Sequence, residues 1–134
     1  MIQNRMSLKT IKRIIVGVVA LILVLTVLEF PAPVGFEVRP QDNVSLWWLA
    51  LFLASLASEI ATISLVFRWP SLGAKFGLLA ATLNILQVVA DQTHMMQPEI
   101  APLGYLLLED AVAFASLALS YFSWKILTIY KSRS

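Results

Sequence analysis

The chain has 134 residues, of which 59% are hydrophobic and only 13% are charged, and its mean hydropathy is +0.81. Soluble domains contain roughly 45–50% apolar and about 25% charged residues, and a domain this small has too much surface to hide so much apolar area. The composition therefore excludes a water-soluble domain. The five glycines and six prolines exclude a disordered or collagen-like chain, and the absence of cysteine excludes disulfides, thiolate metal sites and iron–sulfur clusters.

Four long apolar segments follow one another along the chain, each near the roughly 20 residues that cross the hydrocarbon core as an α-helix. In lipid, backbone N–H and C=O groups need hydrogen-bond partners, which an α-helix supplies within its own segment. No segment alternates apolar and polar residues as the strands of a β-barrel do. We therefore expect one all-α membrane domain, an antiparallel four-helix bundle. Its spans are predicted at residues 14–30, 45–67, 72–94 and 101–127.

The first connection, at residues 31–44, is the only long one, and we expect it on the extracytoplasmic side. Its length favours a binding loop or lid, with a packed cap as the alternative. The first span is expected to be an uncleaved anchor because Glu29-Phe30-Pro31-Ala32-Pro33 offers no small-residue cleavage site.

The basic residues predict the orientation of the chain. Nine of the ten Lys and Arg residues fall on one side of the four spans, and only Arg39 falls on the other. The positive-inside rule makes the basic side cytoplasmic, so both termini are expected there. The chain is accordingly predicted to lie in a bacterial or archaeal plasma membrane. The bilayer, and not nucleic acid, is the expected partner of its basic N-terminus.

The third span carries small and polar residues along one helical face, at spacings of three and four. The small residues of this face include Gly73 and Gly77, which let a neighbouring helix approach closely. Polar residues from the last three spans are predicted to line a pocket open to the outside; these candidate ligand-binding residues are Glu59, Asn84, Gln87, Asp91, His94, Glu109 and Asp110. Ionisable groups at membrane depth are functional-site candidates, and hydrogen bonding between helices is the alternative reason for their presence.

No cofactor is assigned from the residues alone. A metal would use Asp91, His94 and Glu109, but their spacing matches no metal motif, and a haem would need a second axial ligand besides His94. No nucleophile elbow or phosphate-binding glycine loop is present, so no catalytic residue is predicted. A protonated Glu59 would donate a hydrogen bond to a ligand oxygen such as a quinone carbonyl, whereas an ionised Glu59 would attract a cation. Both states remain open.

Several short motifs resemble those of the DoxX-like group of small four-helix membrane proteins. They are Arg13-Ile14-Ile15-Val16-Gly17, Phe30-Pro31-Ala32-Pro33, Ser58-Glu59-Ile60, Phe67-Arg68, Leu72-Gly73-Ala74 and His94. The resemblance covers most of the chain and carries Glu59, Arg68 and His94 over as candidate positions. It implies a subunit of a quinone-linked membrane oxidoreductase or a partner in an oxidative-stress complex. The family's glycine-rich stretch after the glutamate is replaced here by Ala61-Thr62-Ile63.

Three functions follow as hypotheses. The first is an accessory or ligand-binding subunit of a membrane redox complex, with a quinone as the ligand and a redox protein as the partner. The second is a small cation or proton transporter or channel, which would need several copies of the chain because four helices seldom enclose a pore. The third is a lipid- or sterol-type binder or isomerase, by analogy of architecture.

Overall fold

The part of the chain that the computed structural model describes contains four α-helices: α1 (Leu8–Leu28), α2 (Leu46–Leu65), α3 (Pro70–Gln92) and α4 (Leu103–Arg133). All four are long and apolar enough to cross a membrane, which confirms the expected all-α membrane protein. The structure describes residues 7–30, 34–35, 37–39, 45–95 and 99–133. Of the predicted loop, residues 31–33, 36 and 40–44 lie outside this set.

The first and last helices are longer than their predicted apolar spans. Helix α1 begins at Leu8 because the Ser7 side chain caps it, accepting a hydrogen bond from the Thr10 backbone N–H at 3.2 Å. Helix α4 continues to Arg133 rather than stopping at residue 127, since its last turns contain neither Gly nor Pro. Apolar content locates a membrane span, but caps and helix breakers decide where the helix ends.

Helix α3 ends at Gln92, earlier than predicted, because His94 adopts a left-handed backbone conformation with φ 64°. The Met95 N–H donates to the Ala90 carbonyl at 2.8 Å, and the His94 N–H donates to the Asp91 carbonyl at 3.0 Å. This pair of bonds is a Schellman motif, which satisfies carbonyls that the end of the helix would leave unpaired. His94 therefore lies beyond α3 and does not continue its polar face, contrary to the sequence prediction.

The helices pack so that α3 contacts both α2 and α4, while α1 lies mainly against α4 and less against α2. The buried residues of α1 are all apolar: Ile11, Ile15, Val19 and Ile22. They belong to one core cluster with Leu119 and other apolar residues of α3 and α4. The α1 side of the bundle is thus held by close apolar packing.

Helix α2 has the opposite arrangement, and the structure describes it throughout. Its buried residues are all polar: Ser55, Ser58, Glu59 and Thr62. Large apolar side chains of the same helix, such as Leu53 and Ile60, are more than half exposed. A helix with an apolar outer face and a polar inner face suits a lipid solvent, because lipid covers the apolar side chains and the bundle supplies partners to the polar ones.

Candidate functional site

The polar face between α2 and α3 consists of two side-chain pairs, Glu59 with Asn84 and Ser55 with Gln87. The Asn84 amide donates to Glu59 Oε2 at 3.0 Å, and the Gln87 amide donates to Ser55 Oγ at 3.1 Å. Glu59 is 2% exposed and Asn84 is 6% exposed. We call these four residues the α2–α3 polar face; it joins the two helices deep in the bundle.

The Glu59 carboxyl group is able to form a further hydrogen bond. The buried hydroxyls of its own helix, Ser58 and Thr62, donate to backbone carbonyls one turn earlier and so need no partner from another helix. Glu59 Oε1, in contrast, is buried and has no hydrogen-bond partner within the described part of the chain. Buried polar atoms are nearly always satisfied, so an unpaired carboxyl oxygen marks a position where a further group is able to bind.

A second cluster lies where the loop before α2 meets the end of α3. The Arg39 guanidinium donates two parallel hydrogen bonds to the Asp91 carboxylate, at 2.8 and 2.9 Å. Its Nε donates to Glu37 Oε2 at 2.9 Å, and Nη1 also donates to the Glu99 carbonyl at 3.2 Å. Glu37, Arg39 and Asp91 are all buried. The forked guanidinium thus ties the loop to α3 and to the segment that precedes α4.

Arg39 retains its charge in this buried position. Burial lowers its pKa, but the hydrogen bonds to Asp91 and Glu37 outweigh that effect and hold the pKa above its usual value. The guanidinium carbon also lies 5.0 Å from the centre of the Tyr105 ring, a cation–π distance. Arg39 is therefore a fixed positive charge among carboxyl groups.

Glu109 of α4 extends this cluster toward the bundle interior. Its carboxyl group interacts with that of Asp91, and its Oε1 atom is buried with no hydrogen-bond partner among the described residues. We call Glu29, Glu37, Arg39, Asp91, Tyr105 and Glu109 the carboxylate cluster.

Glu29 lies just past the membrane-spanning part of α1 and joins the cluster electrostatically. Burial, and then the charges of Asp91, Glu37 and Glu59, raise the pKa of Glu29 from its ordinary value of 4.5 to about 8. The folded protein therefore holds this proton at neutral pH, whereas the unfolded chain releases it near pH 4.5. Between those two values the folded state binds more protons, so a rise in pH lowers the free energy of unfolding until about pH 8, where the effect levels off.

We expect the Glu29→Gln variant to lose this part of the pH dependence, since glutamine mimics the protonated carboxyl group. Thermal unfolding in detergent between pH 5 and pH 9 is the measurement. The wild type should lose stability over this range more steeply than the variant. Asp110→Asn is the matched control, because Asp110 is exposed, and it should follow the wild type. If the stability of the wild type and of Glu29→Gln falls equally steeply with pH, Glu29 is not the source of this pH dependence.

The structure divides the seven predicted site residues into three groups. Glu59, Asn84 and Gln87 lie together on the α2–α3 polar face, and Asp91 and Glu109 lie together in the carboxylate cluster. His94 and Asp110 are exposed, and Asp110 accepts a hydrogen bond from the Gln92 amide at 2.9 Å. The predicted pocket that all seven would line stays a prediction.

The structure also bears on the predicted metal site and on Arg68. Within the described ranges, no three His, Cys, Asp or Glu side chains are placed to hold a metal ion together. Arg68, which the family resemblance carries over, lies just beyond the other end of α2, with its guanidinium 4.8 Å from the Trp69 ring centre. It is therefore separate from the α2–α3 polar face.

Sequence reasoning did not assign Glu37, Arg39 or Tyr105 to the site. One signal pointed to them: Arg39 is the only basic residue on the acidic side of the predicted topology, and Glu37 precedes it by two positions. A lone cation among carboxylates at a membrane boundary is a candidate for a buried ion pair.

The comparisons with known proteins give no match: the chain fits no protein-family model, no curated protein and no solved structure. Its resemblance to the DoxX-like group therefore rests on the short motifs given above.

Proposed function

We propose that this protein is an integral membrane subunit that binds a lipophilic molecule of the quinone class between α2, α3 and α4. The observation that carries the proposal is the buried Glu59 carboxyl group, with Oε2 held by Asn84 and Oε1 without a partner in the described structure. A carboxylate accepts a hydrogen bond from a quinol hydroxyl, and a carboxylic acid donates one to a quinone carbonyl. The apolar ring and tail of such a ligand suit the surrounding bundle and lipid.

The proposed topology is an antiparallel bundle with both termini in the cytoplasm, in the plasma membrane of a bacterium or an archaeon. The distribution of Lys and Arg supports this orientation. Two contacts between α3 and α4 support the antiparallel order, since Gly77 early in α3 faces Ser123 late in α4, while Gln92 at the end of α3 bonds Asp110. In this orientation the carboxylate cluster lies at the outer boundary of the membrane.

The carboxylate cluster would close the outer end of the ligand site. Arg39 connects the loop before α2 to Asp91, and Asp91 connects in turn to Glu109 on α4. A ligand that reaches Glu59 from the outside would therefore pass beside this ion pair. The resemblance to the DoxX-like group favours an accessory role, in which this chain holds the quinone and a redox partner carries out electron transfer.

Binding of a short-chain ubiquinol analogue to the protein in nanodiscs tests the proposal. We expect saturable binding by the wild type and a loss of affinity of about tenfold or more in Glu59→Gln, because a hydrogen bond to a charged group contributes about 1.5–3 kcal/mol. Glutamine keeps the size of the side chain and its ability to accept from Asn84, so the fold should be retained.

Asp110→Asn is the control, because it removes an exposed carboxylate from the neighbourhood of the carboxylate cluster and should bind as the wild type does. Equal affinity of the wild type and Glu59→Gln, or no saturable binding at all, would overturn the quinone proposal.

A further inference from the structure

A groove of about 560 Å³ lies at the other end of the molecule, where the turn between α2 and α3 meets the last turns of α4. The side chains that line it include Arg68, Trp69, Leu72, Lys75 and Tyr130. None of the residues that line it in the described structure is acidic, and its wall is mainly apolar. The groove thus combines two positive charges with an apolar surface.

The cationic side chains are placed on the outside of the bundle. Arg68 and Lys75 are both exposed, as are the neighbouring Phe67, Trp69 and Leu72. Exposed aromatic and apolar side chains beside a span end lie in the headgroup and upper acyl region of a bilayer. The groove therefore opens toward the headgroups of one leaflet.

We propose that this groove binds an anionic phospholipid of that leaflet, with the phosphate between Arg68 and Lys75 and the glycerol and upper acyl chain against Trp69 and Leu72. The Arg68 guanidinium presents a planar fork of donors that matches phosphate oxygens, and Lys75 adds a point charge. Charge complementarity selects the occupant, because the phosphate supplies a negative charge that none of the described lining residues provides. The lipid chain supplies the apolar contact.

This lipid site is independent of the quinone proposal. It lies on the turn that connects α2 to α3, whereas Arg39, Asp91 and Glu109 lie at the opposite ends of those helices and on the first turns of α4. A variant that empties the lipid groove is expected to leave the α2–α3 polar face unchanged.

Native mass spectrometry of the protein released from nanodiscs of phosphatidylcholine mixed with phosphatidylglycerol tests the proposal. We expect wild type to retain phosphatidylglycerol, and the double variant Arg68→Gln/Lys75→Gln to retain at least fivefold less. The charge-preserving double variant Arg68→Lys/Lys75→Arg should keep most of it. Both positions are exposed, so the helical circular dichroism of each variant should equal that of the wild type.

The matched control is Lys9→Gln/Lys12→Gln, which removes two charges from α1, on the same predicted basic side of the membrane and outside the groove. It should retain phosphatidylglycerol as the wild type does. Equal retention by wild type and Arg68→Gln/Lys75→Gln would overturn the proposal, as would an equal loss in the control, which would indicate attraction to the whole basic face. Displacement of the lipid by millimolar inorganic phosphate would also overturn it, in favour of a free-phosphate site.

Discussion

The Arg39→Gln variant is expected to be less stable than the wild type by about 3–5 kcal/mol, because removal of one partner from a buried ion pair leaves the other charges uncompensated. Arg39 donates to Asp91 through two bonds and to Glu37 through Nε, and all three side chains are nearly inaccessible to solvent. Glutamine has neither the charge nor the fork of donors. Thermal unfolding in mild detergent, followed by circular dichroism, measures the change.

Arg13→Gln is the control, since Arg13 is an exposed arginine of α1 and its loss should change stability by no more than about 0.5 kcal/mol. The double variant Arg39→Gln/Asp91→Asn should recover part of the lost stability, because it also removes one of the stranded carboxylates. If Arg39→Gln and Arg13→Gln unfold at the same temperature, the ion pair does not hold the loop to α3.

Gly73→Ala is expected to destabilise the protein by about 1–3 kcal/mol, the usual cost of an overpacked contact. A Cβ atom at this position would lie 2.6 Å from both the Cα and the backbone nitrogen of Val66. These are backbone atoms at the end of α2, so no side-chain rotation relieves the contact. The absence of a side chain at Gly73 therefore lets the α2–α3 turn close, and unfolding of the variant in detergent measures the effect.

Gly17→Ala provides the matched comparison, because a Cβ atom at Gly17 in α1 would meet no atom of the described structure within 4 Å apart from the adjacent backbone of its own helix. Alanine in a helix interior is favoured over glycine by about 0.5–1 kcal/mol, so this variant should be as stable as the wild type or more stable. The same chemical change is thus expected to have opposite signs at two helical positions. Stabilisation by both substitutions would contradict the close approach at Gly73.

The helical class and the approximate positions of the four helices could be predicted from the sequence, because the thickness of the hydrocarbon core sets the length of an apolar run. The exact ends of the helices could not be predicted in this way. Ser7 extends α1 through a side-chain cap, and the left-handed conformation of His94 ends α3. Each of these boundaries depends on a single residue, whereas hydropathy averages over many.

The sequence predicted the α2–α3 polar face better than the carboxylate cluster. Glu59, Asn84 and Gln87 were predictable as interior residues, since each stands on a polar helical face that lipid would not tolerate. The carboxylate cluster was not predictable, because Arg39 and Asp91 are 52 positions apart and Arg39 belongs to a loop with no helical period. Only the folding of that loop onto α3 brings their side chains together.

We propose that the Glu59 carboxyl group touches a lipophilic ligand inside the bundle, and infrared difference spectroscopy detects such a contact directly. Addition of the ubiquinol analogue to the protein in nanodiscs should shift a carboxyl vibration. The shift should be absent in Glu59→Gln and unchanged in Asp110→Asn. The absence of any ligand-induced carboxyl change would contradict the proposed contact between Glu59 and the ligand. A carboxyl change that persists in Glu59→Gln would contradict it as well.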